Sequence, residues 1–411
     1  MTTPIHEHAK SWFINGALVA GGLAIALLLT EIGLRVVGFS DPLLWSYDDV
    51  TGSKLRAGAQ GWQRKEGRAF VQIGADGLPG REHSRTKPPN TTRVAILGGS
   101  MAEAFQVPIE KTFASVLERE LQSCRAFPDR DIEVLNFGVS GYGTAQEFLT
   151  FQARAAAYSP DLTVLAFTPA FDVRNNSKEL EPLRLSPFFT IEDKKLVLDN
   201  SFLTNPEYLS FKTNFEERSV LFDLRTFQFV RRLKMVLQQR KGGKAGAEGG
   251  SAAALGQDGS GFLPPTTEAW ASAWQVTERL IAAMRNEVVA SGSRFVLLTI
   301  PVGIQVHPNP RVRNRFMQDL HVGDLWYPET RTLEFAKDEQ IDALALGRTL
   351  QAYAEERQIY LHGFKNTQLG SGHLNEEGHK LIGEALAKHL CQAPLQPAVD
   401  SLARGRGQKS K

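Results

Sequence analysis

Four short runs of apolar, β-branched-rich residues stand out in the chain: Arg93–Gly98 (RVAILG), Ile132–Val139 (IEVLNFGV), Leu162–Thr168 (LTVLAFT) and Arg294–Val302 (RFVLLTIPV). They are too continuously apolar for strands with one wet face, so each is expected to be buried on both faces as a central parallel strand. Between them, over 111–122, 143–158 and 267–290, apolar positions recur at helical spacing. Strands alternating with helices predict right-handed crossovers and a doubly wound α/β sheet. A ligand site is then expected beyond the carboxyl ends of the strands.

Two stretches break this rhythm. Residues 178–265 form an insertion between the third and fourth strands, in the place of a lid. It starts with a hairpin pattern, PFFTIEDKKLVLD (Pro187–Asp199), continues with a helical one and ends in a Gly/Ala/Ser-rich stretch, 238–265. That last stretch has too little apolar surface to offset its ordering entropy and is expected to be a disordered loop. At the N-terminus, Ser11–Thr30 runs about 20 residues without a charge, long enough to cross a hydrocarbon core. No small-x-small cleavage site follows, and the helical phase continues, so Trp12–Val37 is expected to be an uncleaved membrane span. A buried core helix is the alternative. Lys10 on one side faces Arg35, Lys54 and Arg56 on the other, so charge leaves the orientation open. The organisation expected is an anchor over 1–40, a linker and lead-in over 41–92, an α/β domain over 93–392 and a disordered tail over 393–411.

Composition narrows the class. The 411 residues are 42% hydrophobic and 22% charged with a net charge of +2, which allows one large domain and argues against nucleic acid as a partner. Cys124 and Cys391 are the only cysteines. They suggest neither a zinc site nor a disulfide framework, and leave a single bridge open. No metal or cofactor is expected.

Three segments carry candidate chemistry. Ser100 follows the first strand in GGSMAE, where its hydroxyl would stand at the sheet edge beside free backbone N–H groups; taken alone, GGS reads more readily as a helix N-cap or a phosphate-binding turn. NFGVSGYGT (Asn136–Thr144) packs three glycines into a strand-to-helix turn, which lets amides approach a ligand closely. Close helix packing is its other reading. GSGHLNEEGHK places His373 just before the final helix, with Glu376 and Glu377 in its first turn. The order serine, glycine turn, histidine is what one site would require.

These blocks resemble the SGNH (GDSL-type) hydrolases, and their membrane-anchored bacterial branch most closely. The resemblance rests on VAILGGSMAEAFQVPIEKTFASVLE, VLNFGVSGYGTAQE, FDVRNNS and GHLNEEGHKL, with GADGLPGREH (Gly74–His83) similar to the branch's lead-in. It implies a flavodoxin-like doubly wound sheet behind one N-terminal transmembrane helix, with the domain extracytoplasmic. It also implies Ser100 as nucleophile, His373 as base, and the N–H groups of Ser100 and Gly141 in the oxyanion hole. The implied reaction is acyl-ester hydrolysis or transfer, on a substrate such as O-acetyl groups of an envelope or exported polysaccharide. His379, beyond the motif, is expected on the helix surface.

Three positions depart from the family pattern. Gly99 stands where an aspartate precedes the serine, Phe171 where an oxyanion asparagine belongs, and Ser371 where an aspartate supports the histidine. Asp172, Asn175 or Asn176 are the candidates to compensate for Phe171, and a backbone carbonyl to orient His373. A silent domain that binds an acylated glycan or envelope partner is the alternative function. What surrounds His373 separates the two: a carboxylate or carbonyl at its far nitrogen favours the enzyme, apolar closure by Phe171 the binder.

Overall fold

In the strand Thr91–Gly98 every residue is buried, and side chains divide by parity, Val94 and Ile96 entering one core and Ala95 and Leu97 another. The same division repeats in the strands beside it. This period of two, with both phases apolar, is what makes the runs read as doubly buried.

The computed structural model describes residues 5–124, 127, 129–181, 184–241 and 259–392. Helix α1 (Ile5–Val36) is followed by two antiparallel ribbons, β1 (Trp45–Asp48) with β2 (Gly52–Leu55) and β3 (Gln60–Gln63) with β4 (Ala69–Gln72). Then come β5 (Thr91–Gly98), α2 (Ser100–Glu103), α3 (Phe113–Gln122), β6 (Asp131–Asn136), α4 (Thr144–Ala153), β7 (Leu162–Phe167) and α5 (Pro169–Asn175). The insertion holds β8 (Phe188–Glu192), β9 (Lys195–Asp199), α6 (Pro206–Arg218) and α7 (Arg225–Lys241). The rest is α8 (Glu268–Ala290), β10 (Arg294–Thr299), α9 (Pro310–Asp319), α10 (Tyr327–Asp338), β11 (Asp342–Ala345), α11 (Gly347–Arg357) and α12 (Glu376–Gln392).

The central sheet is parallel throughout, in the order β6-β5-β7-β10-β11. Numbered along the chain this is 2-1-3-4-5, the flavodoxin-like winding, with its switch point between β5 and β7. Helices α3 and α12 supply Phe113, Leu117, Ile382 and Leu386 to one face; α4 and α8 supply Phe148, Phe151, Trp274 and Leu280 to the other. Each such side chain contributes about 1.5–3 kcal/mol by leaving water. The edge strand β11 was not expected, because its four half-buried residues, DALA, carry almost no strand signal.

Several expectations need correction. Residues 41–92 are no mere linker: the ribbons enclose their own core of Leu44, Leu55, Val71 and Ile73 against Phe105 and Tyr142. The fully buried Arg93 ties the lead-in down, pairing with Glu133 at 2.7 Å and donating to the carbonyls of Ser84, Arg85 and Tyr158. His379 is buried, not on the surface. It shares the α12 stripe of Ile382, Gly383 and Leu386, stacks on Phe113 and accepts from the Phe113 N–H at 3.3 Å. Of the stretch 238–265, residues 242–258 lie outside the described residues, as does the tail from 393; Phe262, though, is buried against Phe316, Val322 and Leu325. The insertion's helices do not form a lid either. Tyr208 and Phe211 of α6 pack on Tyr47, and α7 packs on the end of α1.

Within α1, Trp12–Val36 is long and apolar enough to cross a membrane, with mean hydropathy 2.1 and none of that window buried. Cys124, just after α3, and Cys391, in the last turn of α12, form a disulfide. Their Cα atoms lie 6.1 Å apart across 267 residues of sequence. Replacing both with serine is expected to cost about 2–5 kcal/mol, because the unfolded chain regains a long loop's freedom. Urea melts of parent and variant would measure this; equal midpoints would contradict it.

Candidate active site

The loops after β5 and β7 part at the switch point and leave a cleft of about 520 Å³ at the carboxyl edge of the sheet. Ser100, Gly141, Phe171, Asp172, Asn175, Ser371 and His373 all line it, so residues from four separate blocks meet in one place. Ser100 is the first residue of the one-turn helix α2, where its own N–H has no intrahelical acceptor. Among the described hydrogen bonds neither the Ser100 N–H nor the Gly141 N–H donates, and the Ser100 hydroxyl has no partner. Gly141 has φ = +84°, which turns the peptide in a way a side chain would resist.

A buried acid that sequence reasoning missed holds this turn. Glu103, at the end of α2, accepts from the Trp45 indole at 2.7 Å, from the Ser140 N–H at 2.9 Å and from the Ser140 hydroxyl. Burial raises its pKa against the pull of those donors. Asn136 adds a second tie, donating to the Ala102 carbonyl at 2.6 Å and accepting from Gly138 at 2.9 Å. The peptide before Gly141 is thereby fixed relative to Ser100. On the far side, the Arg184 guanidinium donates to the Gly141 carbonyl.

His373 is supported from a distant part of the chain. No backbone carbonyl takes its Nδ1, and neither does Ser371. Instead Glu66, between β3 and β4, places Oε2 2.5 Å from Nδ1 while Oε1 accepts the His373 backbone N–H at 2.8 Å. Burial alone would raise the Glu66 carboxyl, but its bonds to the His373 ring and backbone, with that ring's charge, hold it below the usual carboxylate range. Asn366 clamps the Glu66 loop, accepting from the Gly67 N–H at 3.0 Å and donating to the carbonyls of Arg64 and Gly67. Gly372 has φ = +77°, and a Cβ there would strike the Glu66 carboxylate. In the sequence Glu66 sits in RKEGR with nothing to distinguish it from a solvated charge run. Its nearest signal is Gly372, which leaves room for an acid without saying which.

The residues considered as replacements for the oxyanion asparagine divide. Asn176 is spent on structure, accepting from Ala145 at 3.0 Å and donating to Thr277 at 2.8 Å. Asn175 lines the cleft and donates to the Tyr142 carbonyl at 3.2 Å, which leaves its second amide hydrogen unspent. Asp172 reaches back to cap α5, accepting from the Thr168 N–H at 2.6 Å. Burial lifts its pKa to about 7 despite that bond. Behind it lies Glu147, with both carboxyl oxygens buried and no partner among the described residues; burial first, then the Asp172 charge, push its pKa far up. Within the segment 306–328, α9 brings Val312, Arg315, Phe316 and Asp319 to the cleft. Of the described insertion residues, Glu181 alone lines the cleft.

No family model matches the chain, and no curated protein does. Solved structures similar to it include a protein assigned to the lipolytic G-D-S-L family from Desulfitobacterium hafniense DCB-2, 15% identical, covering 73% of this chain and 100% of that one with a TM-score of 0.34. The acetyl xylan esterase AlAXEase is 12% identical, covers 72% and 99%, and has a TM-score of 0.36. A two-domain esterase, CEX, active on acetylated mannans, is 11% identical, covers 75% and 50%, and has a TM-score of 0.37. These neighbours include GDSL-type hydrolases, the group the sequence blocks resemble.

The buried acids set a dependence of stability on pH. Glu147 and Asp172 keep protons in the folded chain that the unfolded chain releases above about pH 4. Between that pH and the Asp172 value of about 7 the folded state therefore holds more protons than the unfolded one, and stability falls as pH rises across that window. Glu147→Gln removes one of the two. Its melting temperature relative to the parent is expected to climb as pH rises above about 5, because the parent's folded state must hold on Glu147 a proton that its unfolded chain releases; parallel curves would contradict the assignment.

Proposed function

We propose that this chain is a membrane-tethered serine ester hydrolase of the SGNH type, acting through Ser100, His373 and Glu66. The observation that carries the reading is the Glu66 carboxylate on His373 Nδ1, 2.5 Å away. It favours an enzyme over a silent binding domain, because an imidazole whose far nitrogen is held by a carboxylate keeps its other nitrogen ready to accept a proton. Phe171 lines the cleft without closing it, and His373 remains partly exposed.

In this mechanism Ser100 Oγ attacks the acyl carbonyl while His373 Nε2 takes the hydroxyl proton. Glu66 fixes the tautomer and stabilises the imidazolium that forms. The developing oxyanion is met by the N–H groups of Ser100 and Gly141, with the Asn175 amide as third donor in place of the family asparagine. His373 then protonates the leaving alcohol, and water, activated by the same histidine, releases the acid from the acyl-serine.

The substrate class is an acyl ester, and O-acetyl groups on an envelope or exported polysaccharide are the first to test. Arg315, Asp319 and Gln368 in the cleft lining can hydrogen-bond a hydroxyl-rich ligand, beside apolar Val302, Ile304 and Phe316. In this reading the domain lies outside the cytoplasm, tethered by Trp12–Val36. A disulfide persists under oxidising conditions, which supports that side.

Mass spectrometry after fluorophosphonate treatment is expected to find one adduct, on Ser100, and none in Ser100→Ala. Absence of the adduct from the parent would sink the enzyme reading. Glu66→Gln is expected to lower kcat on a small acetyl ester by up to about 10⁴ with the fold intact, because the amide no longer selects the productive tautomer. Ser371→Asp, which restores the family residue, is expected to bring no gain to the parent and a partial rescue of Glu66→Gln. A gain in the parent would mean that Glu66 does not supply the histidine's carboxylate.

A further inference from the structure

The insertion's last helix carries an apolar face that is largely uncovered among the described residues. On α7, Phe229, Val230, Leu233 and Leu237 are 42%, 58%, 47% and 47% exposed, and their spacing puts them on one side of the helix. The opposite side is engaged: buried Gln228 accepts from the Asp41 N–H at 2.9 Å, and Arg231 pairs with Asp41 at 3.1 Å. The turn before the helix adds Val220, Leu221 and Leu224, all exposed. Singly exposed apolar residues are ordinary, but a contiguous face of this kind marks a contact surface.

Its place in the fold says what covers it. Glu31, near the end of the apolar helix α1, accepts from the N–H groups of Arg225 and Thr226 at 3.0 and 2.8 Å and so caps the start of α7. Phe229 packs edge-on against Phe39, and Arg35 donates to the Asp223 carbonyl at 3.4 Å. The turn and the first half of α7 therefore sit at the level where α1 would leave the hydrocarbon. Cationic Arg218 and Lys234, exposed and with no ion pair among the described residues, flank the apolar face. Apolar residues flanked by cations suit the boundary between acyl chains and anionic headgroups.

We propose that α7 and the turn before it dock on an anionic bilayer surface, as an in-plane second attachment beside α1. This rests on the reading of α1 as a membrane span. Two attachments hold a domain in one orientation where a single helix leaves it free to swing, so the cleft would keep a constant bearing relative to the membrane.

The test uses the full-length protein in nanodiscs containing phosphatidylglycerol, with single cysteines introduced and spin-labelled while the native pair stays oxidised. The labelled variants are Leu233→Cys, Leu23→Cys in α1 and Lys195→Cys in the hairpin. Oxygen, which partitions into lipid, is expected to relax the labels at 233 and 23 more than a water-soluble nickel chelate does, with the reverse at 195. Replacing the lipid with phosphatidylcholine is expected to raise nickel access at 233 and leave 23 unchanged. Water-like access at 233 with lipid-like access at 23 would overturn the docking of α7 alone. Water-like access at both would overturn the span as well. Shielding of 233 from both reagents, in nanodiscs and in detergent alike, would point to a protein cover such as a second copy and would also overturn the proposal.

Discussion

A parallel sheet buried on both faces has one place for polar chemistry, and the rest of this site depends on that constraint. In β5, β7 and β10 both side-chain phases are committed to packing, so reactive groups are excluded from the strands themselves. They collect where the strands end. At the switch point the chain leaves β5 toward one face and β7 toward the other, and the gap between those exits becomes the cleft. Ser100 and Phe171 both line it because of winding, not because of any affinity between their segments.

What makes the gap a candidate catalytic site is a contact between the two ends of the molecule. Glu66 belongs to a ribbon that precedes the sheet, His373 to the approach to the last helix, and the two meet at 2.5 Å. A family aspartate two residues before the histidine would provide the same carboxylate locally. Here the position holds Ser371, and Gly372 leaves the room that the distant carboxylate fills. The ribbons are consequently part of the working unit. A carboxylate brought from far away depends on the whole lead-in being seated, which gives Arg93 and Asn366 importance beyond their own hydrogen bonds.

The same economy of contacts appears in the insertion. Its first part sends Glu181 and Arg184 to the cleft and to the Gly141 carbonyl, whereas its helices turn away to β1 and the end of α1. One inserted segment thus touches both the site and the end of α1. Buried Glu103 plays a comparable part on a smaller scale, joining Trp45 of the first ribbon to the Ser140 turn.

The fold class was legible in the sequence because doubly buried strands must be apolar in both phases, and helices between them must keep a 3.6-residue stripe. The ordered blocks around Ser100, Gly141 and His373 were legible because each lies at a strand or helix end, where local chemistry marks the turn. The half-exposed edge strand β11 was not, since its four residues have no face to pattern. Nor was Glu66, for an acid among Arg64, Lys65 and Arg68 looks the same whether it meets solvent or an imidazole. His379 was misjudged for a related reason: a polar residue beside a helix start gives no sign that α3 will cover it. Local sequence determines which residues can bend, pack or react next to their neighbours. Which carboxylate meets His373, and which cysteine meets Cys124, are pairings across hundreds of residues that only the closed sheet and its packed ribbons decide.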